Sequence, residues 1–211
     1  MSFSILTVCS GNICRSPLAE QLLRVGLAGV DGISVGSAGT IAMVGDGMPA
    51  EAQALSERFG ATDAAAHVAR QLDEQLIRDA DLVLALSREH RRAVVELVPA
   101  ATRRTFTLRE FAHLAASVTD ADLDDAAPFP ELVEGNSSFP GPVEGNSASL
   151  RAAVLAAASL RGVVPPFDSP DDADVVDPYR QSAAVYETSA EQLVPAVQAT
   201  VALLARAAQR S

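Results

Sequence analysis

The chain has 211 residues, 48% of them hydrophobic and 20% charged, with a formal net charge of −11 at pH 7. That length supplies one sizeable core with room for an elaboration, and the composition is that of an ordinary globular protein. So acidic a chain has no bulk electrostatic reason to bind nucleic acid or an anionic membrane, although one basic cleft remains compatible with it.

Residues 3–8, FSILTV, form a short apolar run of β character and predict a strand. The polar loop CSGNICRSP follows. From Ser16 the pattern is helical, with Pro17 suited to a first turn and Leu18, Ala19, Leu22 and Leu23 on one face. Residues 33–37 predict a second strand, ended by Ala38 and Gly39. Residues 49–59 predict a helix that stops at Gly60, and residues 71–78 a short helix. LVLAL at 82–86 predicts a buried strand. A helix over 88–97 closes before Pro99, a fourth strand covers 103–108, and a short helix covers 109–116. Strands alternating with helices predict an α/β fold: a three-layer domain whose four-stranded parallel sheet is covered on both faces.

Residues 119–173 break this rhythm. They are rich in Asp, Pro, Gly and Ser, and they repeat VEGNS at 133–137 and 143–147. One duplication is too little for a repeat fold, so the segment reads as a mobile surface insertion in a single domain spanning 1–211, with a helical stretch at 149–161. A last helix covers 182–209, where Val194, Val197, Val201 and Leu204 keep helical spacing and face the core.

The N-terminus lacks a basic region followed by a long apolar run, and no stretch approaches the length of a membrane span. The two cysteines, Cys9 and Cys14, are too few for a disulfide scaffold and lack a zinc pattern. A cytoplasmic protein with reduced thiols and no metal or cofactor is the simplest expectation.

The chemistry concentrates in Cys9, Ser10, Gly11, Asn12, Ile13, Cys14, Arg15 and Ser16. A loop this short, between a strand and a helix, can wrap its backbone N–H groups around one phosphate. The helix starting near Ser16 points its positive end at the same place. Arg15 can pair with two phosphate oxygens, as a lysine could not. Gly11 is expected to take the unusual backbone angles of such a cradle. The same surroundings favour a thiolate at Cys9, ready to attack phosphorus.

VCSGNICRSPLAEQLL resembles the signature of the low-molecular-weight protein tyrosine phosphatases. The likeness continues through SAGT (37–40), HVARQL (67–72), DADLVLALS (79–87) and DPY (177–179), covering about residues 3–117 and 172–208. The resemblance implies a fold like phosphotyrosine protein phosphatase I. It implies attack by Cys9 to form a phosphocysteine, charge stabilisation by Arg15, and Asp177 as the acid that protonates the leaving oxygen. On residues alone, Asp177 is one of several aspartates in PDDADVVDP, and Asp174 could share its role. The resemblance further implies a supporting network of Asn12, Ser16, Ser37 and His67, which otherwise read as ordinary turn or core residues. Cys14 would either pair reversibly with Cys9 or simply fill space. Ile13, Met43 and Tyr179 would line the substrate pocket, less enclosed than usual because Met43 and Arg180 stand where aromatics are common. His90 and His113 match nothing and read as helix-surface residues.

The implied substrate is a phosphotyrosine protein or small aryl phosphate, handled by a monomer or weak dimer. Two rival readings stay open. An arsenate reductase using an external thiol would employ the same cradle but need no Asp177. A non-catalytic phosphate-binding module would need neither Cys9 nor an acid.

Overall fold

The computed structural model describes residues 2–126 and 146–210. Its four strands are β1 (Phe3–Cys9), β2 (Ile33–Gly39), β3 (Leu82–Ala85) and β4 (Thr105–Thr107). They form one parallel sheet in the order β2-β1-β3-β4. The helices are α1 (Arg15–Gly26), α2 (Ala50–Arg58), α3 (Glu74–Asp79), α4 (Arg88–Leu97), α5 (Leu108–Ala115), α6 (Asp120–Ala126), α7 (Ser147–Ser159) and α8 (Ala183–Ala208).

The alternation along β1 explains the layering. Phe3, Ile5 and Cys9 join a large core built with α1, α2, α5, α7 and α8. Leu6 and Val8 point the other way, into a smaller core with Ile77 of α3, Val94 of α4 and Val98. Both faces of the central strands are therefore buried, which is why LVLA at 82–85 shows no polar alternation. The predicted α/β architecture holds. Its boundaries shift where local chemistry competes with pattern. The stretch before β4 winds into a 3-10 turn at Pro99–Arg104, and Gln71 bridges to Gly39 instead of starting α3, which Asp73 caps.

The reading of 119–173 as a surface insertion is corrected for the part that is described. Leu150, Ala153, Val154 and Ala157 of α7 are essentially inaccessible to solvent and belong to the main core. Arg151 on the same helix reaches Asp81 at 2.8 Å, and Asp81 also accepts the backbone N–H of Ser4 at 2.8 Å. Ser4 and Asp81 lie at the N-terminal ends of β1 and β3, so α7 is pinned to the pole of the sheet opposite the Cys9 loop. An alanine-rich helix lacks a polar stripe that would force an exposed face, and it was the surrounding Pro, Gly and Asp that suggested a surface location. The first VEGNS copy and most of the second lie outside the described residues.

Candidate active site

The loop between β1 and α1 leaves the C-terminal edge of the sheet, beside the point where the strand order reverses. Cys9 is 2% exposed. Its sulfur receives the backbone N–H of Asn12 at 3.3 Å and lies 3.0 Å from the Ser16 hydroxyl. The side-chain amide of Asn12 orients that hydroxyl. Asn12 Oδ1 accepts the Arg70 N–H at 2.9 Å, which fixes which end of the amide is which. Both Nδ2 hydrogens then go outward, to Ser16 Oγ at 2.9 Å and Ser37 Oγ at 2.8 Å. Ser37 in turn donates to Glu20 at 2.5 Å. Ser16 Oγ accepts one hydrogen from Asn12 and keeps its own proton to give, for which the Cys9 sulfur at 3.0 Å is a nearer acceptor than the Ala38 carbonyl at 3.5 Å. Two donors on one buried sulfur are suited to an anion.

His67 completes this support by donating Nε2–H to the Asn12 carbonyl at 2.7 Å. The structure thus brings together all four residues expected in the supporting network: Asn12, Ser16, Ser37 and His67. It corrects the expectation for Gly11. The left-handed residue of the loop is Asn12, at φ +56°, and Gly11 has no positive φ. Asparagine tolerates that region better than other side chains, and here its amide is locked on three sides.

A glycine missed from sequence matters more. A Cβ on Gly39 would stand 2.4 Å from the Ser10 carbonyl, so only glycine lets the end of β2 approach the loop this closely. Beyond it, the N–H groups of Thr40, Ile41 and Met43 bond the carbonyls of Cys9, Ser10 and Gly11 at 2.9–3.0 Å. The loop carbonyls are therefore held outward. Among the described residues the amides of Ser10, Gly11, Ile13 and Cys14 have no hydrogen-bond partner, and Arg15 and Ser16 open α1, where N–H groups have no intrahelical acceptor.

Arg15 is buried, with Nη1 on the Val175 carbonyl at 3.1 Å and Nη2 on Asp177 Oδ2 at 2.6 Å. Asp177 is half-exposed, and its other oxygen accepts the Tyr179 N–H at 3.1 Å. Asp174 does not share this position. Arg88 takes Asp174 with Nε and Nη2 at 3.1 and 3.0 Å and Asp171 at 2.5 Å. The expected pocket residues Ile13, Met43 and Tyr179 border the same apolar cluster as Cys9.

Cys14 and Cys9 are both free thiols. Burial pushes the Cys14 thiol up to about 12, and its sulfur lies 3.7 Å from the Tyr186 hydroxyl.

Of the two remaining histidines, both expected on a helix surface, His113 lies partly at the surface and His90 does not. His113 is half-buried, donates to the Pro165 carbonyl at 2.8 Å and stacks on Phe167. His90 is 3% exposed and sits between the hydroxyls of Ser10 and Ser87, 2.8 Å from each. Burial first, then the nearby Arg15 cation, holds its pKa down at about 4. An unfolded chain protonates this histidine near 6.5, so stability is lost as pH falls from about 6.5 toward 4. We expect wild type to lose about 2–3 kcal/mol more than His90→Gln between pH 7.5 and 4.5 in urea unfolding. Equal losses in the two proteins would contradict a buried neutral imidazole.

An arginine-closed loop that presents a buried cysteine at the end of a parallel strand is the site of a cysteine-dependent phosphatase. The chain belongs to one family of such enzymes: the model for low molecular weight phosphotyrosine protein phosphatases matches residues 4–137. A protein-arginine-phosphatase from Geobacillus stearothermophilus is 38% identical over 134 residues, spanning 64% of this chain and 84% of that protein. The low molecular weight protein-tyrosine-phosphatase Ptp from Acinetobacter johnsonii is 38% identical over 105 residues, 50% of this chain and 71% of that protein. Among solved structures, a low molecular weight protein tyrosine phosphatase from T. tengcongensis superposes with a TM-score of 0.60 at 26% identity, covering 97% of this chain and 99% of that one.

Proposed function

We propose that this phosphatase hydrolyses phosphotyrosine, or another aryl phosphate monoester, with Cys9 as nucleophile, Arg15 as the oxyanion clamp and Asp177 as the acid. The observation that carries the assignment of roles is the Arg15–Asp177 contact at 2.6 Å beside a cysteine sulfur that receives two donors. A phosphate dianion entering the loop competes for the Arg15 guanidinium and releases Asp177 to face the leaving oxygen. Cys9 sulfur then attacks phosphorus, the P–O bond breaks, and Asp177 gives its proton to the departing phenol oxygen. In the second half Asp177 takes a proton from water, the water oxygen attacks phosphorus, and the P–S bond breaks to restore the thiolate. Arg15 and the loop amides stabilise charge on the remaining oxygens in both halves.

The relative from Geobacillus, named for phosphoarginine, makes that leaving group the competitor to consider. Arg180 stands exposed beside the acid, its guanidinium 5.0 Å from the Tyr179 ring centroid. A cation there opposes a cationic arginine side chain, whereas an aryl group that displaces it gains the Tyr179 ring to stack on. The presence of an acid within reach of Arg15 also favours hydrolysis over arsenate reduction, which has no leaving alcohol to protonate. Two free thiols suit a reducing compartment, and among the described residues no helix is long and apolar enough to cross a membrane. A cytoplasmic enzyme acting on phosphoproteins, as a monomer or weak dimer, completes the proposal.

The test is a substrate panel on the purified chain: para-nitrophenyl phosphate, phosphotyrosine, phosphoarginine and phosphoserine, beside arsenate with glutathione. The aryl phosphates should lead phosphoarginine by at least about tenfold in kcat/KM, the effect of roughly 1.4 kcal/mol of unfavourable charge. Faster turnover of phosphoarginine, or thiol-dependent arsenite production without phosphate release, would overturn the reading.

A further inference from the structure

Most of the phosphate loop has an evident support. The carbonyls of residues 9–11 hang on residues 40–43, and Asn12 is held by Arg70, Ser37 and His67. Ser10, directly after the cysteine, lies on the side facing α4, and there its hydroxyl meets His90 Nε2 at 2.8 Å. The other ring nitrogen of His90 faces Ser87 Oγ at 2.8 Å, and Ser87 also caps α4 by accepting the His90 backbone N–H at 3.3 Å. The imidazole is thus pinned at its base and buried along its length.

We propose that His90 is a positioning residue of the phosphatase site, a rigid bridge from the first turn of α4 to Ser10 that fixes the start of the phosphate loop. This rests on the assignment of Cys9 and its loop as the reacting centre. A neutral imidazole offers one donor and one acceptor, and each nitrogen here faces a hydroxyl that can play either part, so both bonds form in either tautomer. A charged ring would place a second cation near Arg15 inside a buried site, and burial keeps the ring neutral.

The placement gives the bridge a second consequence. Arg88, two residues earlier, binds Asp174 and Asp171 with its side chain, and its own N–H donates to Asp174 Oδ1 at 2.7 Å. Asp174 stands three residues before Asp177. One turn of α4 therefore grips the nucleophile loop through His90 and the acid segment through Arg88. It sets the spacing between the group that attacks phosphorus and the group that protonates the leaving oxygen, a distance to which rates are steeply sensitive.

Two amide substitutions separate this role from simple filling of space. The glutamine amide of His90→Gln reaches the place of Nε2 and keeps the contact to Ser10. The shorter His90→Asn reaches only the place of Nδ1 and keeps the contact to Ser87. With para-nitrophenyl phosphate, His90→Asn and Ser10→Ala should each lose about 10- to 100-fold in kcat/KM, with weaker inhibition by inorganic phosphate, while His90→Gln stays within about threefold of wild type. Circular dichroism establishes that each variant is folded. Should His90→Asn fail to fold, Ser10→Ala, which leaves the imidazole in place, carries the test. Equal behaviour of the Gln and Asn variants, or wild-type kinetics and phosphate inhibition in Ser10→Ala, overturns the bridge. If wild type turns over no phosphate ester at all, the substrate assignment fails instead, and calorimetric binding of inorganic phosphate to the same variants still reads out the role of His90.

Discussion

Replacing Cys9 with serine should remove turnover and leave phosphate binding intact. The serine hydroxyl occupies nearly the same volume but is a far weaker nucleophile at neutral pH, because it has no means of becoming an anion there. The surrounding groups survive the change: the Asn12 side-chain amide, the Ser16 hydroxyl, the outward-tied carbonyls and the Arg15 guanidinium are all held by contacts other than the sulfur. We expect hydrolysis of para-nitrophenyl phosphate to fall by roughly 10⁶-fold, the scale seen when a covalent nucleophile is lost. Titration calorimetry with inorganic phosphate or vanadate should still show one site per chain. Substantial residual turnover would place the nucleophile elsewhere. Cys14 is a poor candidate, since burial holds it as a thiol up to about pH 12.

The second large effect is expected at Asp177. Asparagine matches the side chain in size and, with its one acceptor oxygen, keeps either the Arg15 contact or the Tyr179 N–H contact that place Asp177. It cannot deliver a proton. Asp177→Asn should therefore lower kcat by about 10²–10⁴-fold. The loss should grow as the leaving phenol becomes less acidic, because a poorer leaving group depends more on protonation. It should shrink toward nothing with a leaving group as good as a dinitrophenolate. A plot of log kcat against leaving-group pKa, flat for wild type and steep for the variant, is the diagnostic result. Parallel lines, or wild-type rates with phenyl phosphate, would remove Asp177 from proton transfer.

The parts of this site that could be read from sequence are those written in consecutive residues. Phe3 to Arg15 encodes a buried strand, a short loop with cysteine and arginine at its ends, and a helix start, and the structure places these in the expected order. Asp177 was legible only through resemblance, because four aspartates in seven residues look alike until Arg88 claims two of them. What stayed hidden depends on contacts between distant segments. His90 is eighty positions from Ser10, and nothing local distinguishes it from a solvated helix residue. A usable signal existed: β3 lies beside β1, so the first turn after it, Ser87 to His90, must emerge next to the Cys9 loop. The close approach at Gly39 and the left-handed backbone of Asn12 were missed because a clash with a backbone carbonyl and a positive φ are properties of a closed loop and cannot be read from composition.

The arrangement of layers also bears on how the enzyme comes into being. β1 is synthesised before every other element described, yet the apolar side it presents through Phe3 and Ile5 shares a core with α7 and α8, more than a hundred residues downstream. Until those helices are synthesised, α1, α2 and α5 cover that side only in part, and the nascent chain carries a sticky, half-built core. A polypeptide interrupted after residue 126 would lack the lid of its own interior. The catalytic loop thus gains its shape only after α7 and α8 have been made, well after the loop itself.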